Sequence, residues 1–189
     1  MALNDIALCS RALIRIGAAP ITSFNDGSAE SEIAGALYET LRNSILSSYP
    51  WTFATGQVEL TQLSISPTAD YQYAYQLPND FLRAISAGSS AESQGVKYRI
   101  SRDQLHTDYE SVVLSYIFNP DEAETPPFFD MVLITRLAAE FCIPVTENTS
   151  RAEVMFRIAN KEFAQARSID AMQDTPNKIQ DFSLIDVRD

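Results

Sequence analysis

The single histidine of this 189-residue chain, His106, lies in the run DQLHTDYE, with Asp103, Asp108 and Glu110 around it. Neighbouring carboxylates would favour its protonated form and suit it to acid–base work. A catalytic site also needs a nucleophile and a group that orients the base, and no motif supplies either. A histidine on a solvated loop is the expectation. Zinc calls for several His or Cys ligands at short spacing, whereas Cys9 and Cys142 stand far apart in apolar helical patterns. They read as reduced core thiols. Asp121, Glu122 and Glu124 lack the glycine and alternating oxygens of a calcium loop. Six glycines occur singly, so no phosphate-cradling loop is predicted. Among 25 acids a glycosidase pair is conceivable, but spacing in sequence does not set the separation that such a pair needs. The expectation is no catalytic residue, no cofactor and no metal.

Net charge is −11, which argues against a general grip on nucleic acid. The acid is uneven: residues 51–125 hold ten acids against four bases, whereas 126–173 hold six against five. The start, MALNDIALCSRAL, has no basic n-region before a long apolar run, and no run approaches the ~20 residues that span a bilayer. A soluble protein made in a cytoplasm, without a membrane partner, is expected.

These residues must be placed by a chain whose period changes twice. Asn4 caps a first helix with Ile6, Cys9, Leu13 and Ile16 on one face and Gly17 at its end. After the Asn25-Asp26-Gly27 turn, Ser28 opens a second helix with Ile33, Leu37, Leu41 and Ile45 on its stripe, flanked by Ala34 and Tyr38, and Pro50 stops it. From Trp51 the pattern alternates. Trp51, Phe53 and Thr55, then Val58, Leu60 and Gln62 after a bulge at Gly56, read as strand. Tyr71, Tyr73, Tyr75 and Leu77 share one face of the next. Strands at 81–87, 96–100 and 111–118 follow, the last apolar on both faces and therefore central. Pro126-Pro127 begins a third helix carrying Phe129, Val132, Leu133, Leu137 and Phe141, with Pro144 after it. A fourth, about 150–172, bears Ala152, Phe156, Ala159, Phe163 and Ala166.

The predicted fold class is α+β: a four-helix bundle (residues 1–50 and 126–173) with an antiparallel β-strand lobe (51–125) inserted between helices 2 and 3. Residues 174–189 form an extended C-terminal tail after Pro176. Its Phe182, Leu184, Ile185 and Val187 are too apolar for a solvating tail and read as partner-binding anchors. The row Tyr71, Tyr73 and Tyr75 suits a pleated sheet or a protein interface equally. Trp51 reads as a residue packed between bundle and sheet rather than a stacking platform.

The stretch LNDIALCSRALIRIGAAPITSFNDGSAESEIA, the second helix running into a YPW-F turn, and YQYAYQLPNDFLRAI together resemble the phage head-to-tail adaptors of the tail tubular protein A type. The resemblance covers most of residues 3–85; beyond them it is one of architecture and length. It implies a structural virion protein at the head–tail junction, forming a ring, usually dodecameric, beneath the portal. The implied partners are the portal protein, a tail nozzle or tail-completion protein, and further copies of the chain. DNA passes through the central channel without specific binding, and the family has no catalytic site to transfer. An acidic lobe would keep phosphate from sticking in such a channel. The competing readings are a virion-associated glycan-cleaving enzyme and a small acidic binding module without a ring.

Overall fold

The computed structural model describes residues 3–89 and 95–173. Four helices, α1 (Asp5–Arg15), α2 (Ala29–Ser48), α3 (Pro127–Thr146) and α4 (Thr149–Ala171), and six strands form a mixed α+β fold, with every strand between α2 and α3 in chain order. Helix starts follow local chemistry. Asn4 Oδ1 accepts from the Ala7 N–H at 2.9 Å, Ser28 Oγ from Ser31 at 3.2 Å and Asn148 Oδ1 from Arg151 at 2.9 Å. Each satisfies an amide that the helix cannot. α3 opens on Pro127, where a missing N–H does no harm. Gly17, at φ +80°, lets the chain leave α1.

α3 is the hub, with α1, α2 and α4 all packed on it. Its sequence explains this: Phe129, Val132, Leu133, Leu137 and Phe141 are buried, and so are Ile134, Ala138 and Ala139 around the helix. Pro144 lies inside α3 rather than after it. It falls in the last turns, where Thr146 Oγ1 takes the Cys142 carbonyl at 2.5 Å and Glu147 closes the helix in the left-handed region. The buried face of α2 is centred on the expected flank, Ala34 and Tyr38, rather than on the stripe's middle. Ala34, Tyr38, Arg42 and Ile45 are buried, and Ile33, Leu37 and Leu41 are half-buried. That face includes a buried cation, Arg42, which a purely apolar count passes over.

The strands form two antiparallel three-stranded sheets rather than one block. The first has order β1 (Thr55–Glu59), β6 (Val113–Phe118), β3 (Phe81–Gly88); the second β2 (Tyr73–Gln76), β5 (Gln104–Thr107), β4 (Tyr98–Ser101). β6 is central as its sequence predicts, and its Ile117 joins the helical core while Leu114 and Tyr116 join a second buried cluster. Gly56 pairs in register with Tyr116 and makes no bulge; the register shifts lie in β3, between Phe81 and Arg83 and between Ala84 and Ser86. Trp51 and Phe53 are not in a strand. Residues Thr52–Ala54 form a 3-10 turn before β1 begins. His106 is not on a solvated loop either: it sits half-buried on β5, opposite Ala74 and Arg99.

Candidate functional site

The joint between helices and sheets is the most heavily built place in the molecule. Pro50 ends α2 and leaves its last carbonyls without helical donors. The Ile45 carbonyl is satisfied twice, by Ser48 Oγ at 2.7 Å and by the indole Nε1 of Trp51 at 3.2 Å. Trp51 is wholly buried, with Tyr49, Phe129 and Phe163 edge-on to it at centroid distances of 5.1, 5.3 and 5.7 Å. These are favourable aromatic geometries. The rings come from α3, from α4 and from the chain leaving α2, so one side chain ties three segments together.

Asp170, near the end of α4, reinforces the same joint. Its carboxylate accepts from the Thr52 N–H, at 3.0 and 3.2 Å to its two oxygens, and from Thr52 Oγ1 at 3.2 Å. A carboxylate at a helix C-terminus opposes the helix dipole, yet here it caps the first amide of the 3-10 turn. That cap holds Trp51 out of the strand. The link spans 118 residues and leaves no local sequence signal.

A second clip joins α2 to the segment that leaves β6. The guanidinium of Arg42, only 5% exposed, donates to Asn119 Oδ1 and to the Pro120 carbonyl, and its Nε lies 3.8 Å from Glu122 Oε1. Tyr38 Oη donates to the same carboxylate at 3.3 Å. Burial, then the Glu122 charge, pushes the Tyr38 phenol well above its ordinary value. Asp5, Glu39 and Phe24 complete the rim of an open depression of about 360 Å³ over this clip. Only the position of Arg42 four residues after Tyr38 hints at the clip in sequence.

The structure separates the tyrosine row. Tyr75 is in the buried cluster among the strands, 1% exposed, with its hydroxyl donating to the Tyr109 carbonyl at 2.6 Å. Tyr73 is half-buried, and its hydroxyl reaches Glu110 Oε1 at 3.3 Å. Tyr71 precedes β2 and is half-buried. A contiguous surface of three tyrosines is therefore not presented; β2 turns the Tyr75 side of its pleat inward against Leu105 and Leu114. The anchors Phe182, Leu184, Ile185 and Val187 lie outside the described residues.

His106 Nε2 is 3.3 Å from the Gln104 amide oxygen, which is not a nucleophile. Both cysteines are free and buried, and burial pushes the Cys9 thiol up to about 12, far from the reactive thiolate. No group of three or more His, Cys, Asp or Glu is arranged to hold a metal ion among the described residues, and none of their helices is long and apolar enough to cross a membrane. A groove of about 240 Å³ between α2, α3 and α4 has Leu41, Ile45, Val132 and Phe163 on its walls and Arg136 and Asn160 at its edge. No family model and no curated protein matches the chain. The functional reading rests on its residues.

Proposed function

We propose that this protein is a head-to-tail adaptor: a structural subunit that forms a ring beneath the portal of a phage capsid and joins it to the tail. One observation supports the reading most. The YPW-F turn, among the most specific parts of the resemblance, is a buried joint that fixes a strand-rich segment to a helical one. In an adaptor such a joint transmits position from one partner to the next, and its residues need no chemistry. In this reading the helices act as a bundle that forms the ring, and residues 51–125, inserted in it, are an acidic lobe serving the channel or the tail. DNA then slides past a surface of its own sign. Residues 174–189, through Phe182, Leu184, Ile185 and Val187, are the proposed contact with the portal or the neighbouring subunit.

A ring interface that completes itself on a portal template need not be strong alone. The isolated chain is expected to be mostly monomeric at micromolar concentration and to assemble when portal rings are added. Light scattering on the mixture tests this. A stable compact twofold dimer, indifferent to the portal, would refute it.

A further inference from the structure

α2 and α4 both pack on α3, and the groove of about 240 Å³ runs between them. Ala159 is the buried residue of α4 at this point and presents only a methyl. Val132 and Phe163 are left as the floor, with Leu41 and Ile45 of α2 as the far wall. The groove falls below the ~300–1,000 Å³ of small-molecule sites, and suits apolar side chains carried on a peptide. Its flanks are cationic. Arg136 lies 5.2 Å from the Phe156 ring centre, and Arg167 lies 4.8 and 5.8 Å from those of Tyr49 and Phe163. Arg136 shares its charge with Glu140 at 2.9 Å, Arg167 makes no ion pair among the described residues, and no acid lines the groove. In a chain of net charge −11, an apolar trough between two arginines matches an acidic, apolar segment.

The chain carries one within reach. Beyond Gln173 the sequence reads DTPNKIQDFSLIDVRD, four acids against two bases, with Phe182, Leu184 and Ile185 between Asp181 and Asp186. Measured back along α4 from Gln173, Phe163 is about 15 Å away, Asn160 about 20 Å and Phe156 about 25 Å, at ~1.5 Å per residue. Counted from a reversal at 175–177, the chain can bring Asp181 back by up to ~13 Å, Phe182 by ~17 Å, Leu184 by ~23 Å and Asp186 by ~30 Å. The two orders agree: Asp181 comes to Arg167, Phe182 and Leu184 to the floor at Phe163 and Ala159, and Asp186 to Arg136. We propose that residues 177–187 run back along α4 and seat Phe182 and Leu184 in the groove of their own chain. A short tether gives an effective concentration on the order of millimolar, so a weak site is filled in cis. Ordering the segment offsets most of what the contact supplies, and Tm barely registers it. The docking does not rest on the adaptor reading; within that reading it keeps the tail anchors from partners until a stronger site competes for them.

A nitroxide on Ser183→Cys tests the docking by magnetic resonance, the native thiols being buried. In the isotope-labelled full chain it should broaden the backbone amides of Ser44, Ile45, Asn160 and Phe163, to an extent unchanged on dilution. Adding Phe182→Ser and Leu184→Ser should remove most of that broadening. Arg167→Glu should weaken it, and Asp181→Lys on the same chain should restore it. Groove amides that stay sharp, that broaden equally without the two anchors, or that fail to respond to the charge swap would each overturn the proposal. So would broadening that appears only when the nitroxide is on a second, isotope-free copy, which would place the tail in a neighbour's groove. A chain that docks its tail and yet ignores portal rings would leave the docking standing and remove the adaptor reading instead.

Discussion

Replacing Trp51 with alanine tests whether the joint is core rather than interface. A buried tryptophan removes 150–250 Å² from water, about 4–6 kcal/mol at ~25 cal/mol per Å². Allowing for a partly compact unfolded chain brings this to about 3–5 kcal/mol, the range seen when a large aromatic site in a core is emptied. The lost indole N–H adds little, because Ser48 Oγ still donates to the Ile45 carbonyl. For a chain of this size each kcal/mol moves Tm by about 2–4 °C, so a fall of about 6–20 °C is expected. Circular dichroism melting measures it. In the parent the same residue reports directly, because it is the only tryptophan: its emission should be blue-shifted when native and move red on unfolding. A Trp51→Phe variant keeps a ring against Phe129 and Phe163 and should lose only about 1–2 kcal/mol, for the part of the indole that a phenyl ring does not fill. Melting within ~2 °C of the parent for Trp51→Ala, with loss of partner binding, would refute the reasoning and make Trp51 an interface residue.

Removing the cation of the second clip, Arg42→Ala, should cost about 3–5 kcal/mol and loosen the segment after β6, measured by denaturant unfolding and by amide exchange at residues 119–124. Asp26 accepts from Ser28 Oγ at 2.6 Å and the Ser28 N–H at 3.0 Å, which hold its carboxyl below the ordinary range. A depressed value stabilises the fold above the ordinary carboxylate range of about 4 and is lost as pH falls through the folded value, so the deficit of Asp26→Ala should shrink steadily on acidification. Duplex DNA should not shift in a gel with this protein at ~0.15 M salt, where the Debye length is about 8 Å; tight, salt-sensitive binding would point to a nucleic-acid module. Deleting residues 174–189 should leave Tm nearly unchanged and abolish attachment to the portal or the neighbouring subunit; a deletion that unfolds the chain would place them in the core.

What the sequence reveals of this fold is what neighbours in the chain decide. The caps at Asn4 and Ser28, the proline start of α3 and the central place of β6 rest on side chains within a few residues of the backbone they govern. The errors have a common cause. Trp51 and Phe53 alternate like a strand, but Asp170, 118 residues away, caps the Thr52 amide at the start of a 3-10 turn. Arg42 joins the buried face of α2 through partners at residues 119–122, and a buried guanidinium is invisible to a count of apolar side chains. β5 was hidden because QLHT carries one large apolar residue, Leu105, and is completed by its pairing with β2 and β4. The tyrosine row keeps one side of the pleat, but that side turns inward at Tyr75, because which side faces the core is set by what packs on it.

The central claim is a place in a particle, and the most direct measurement is to look there. On the proposed adaptor reading, particles purified from a lysate in which this reading frame is expressed, labelled with gold-tagged antibody raised against the protein, should show gold at a single vertex of each head, between capsid and tail, most accessibly on particles whose tails have been shed. Gold spread over the capsid or along the tail, or absent from purified particles, would contradict the account.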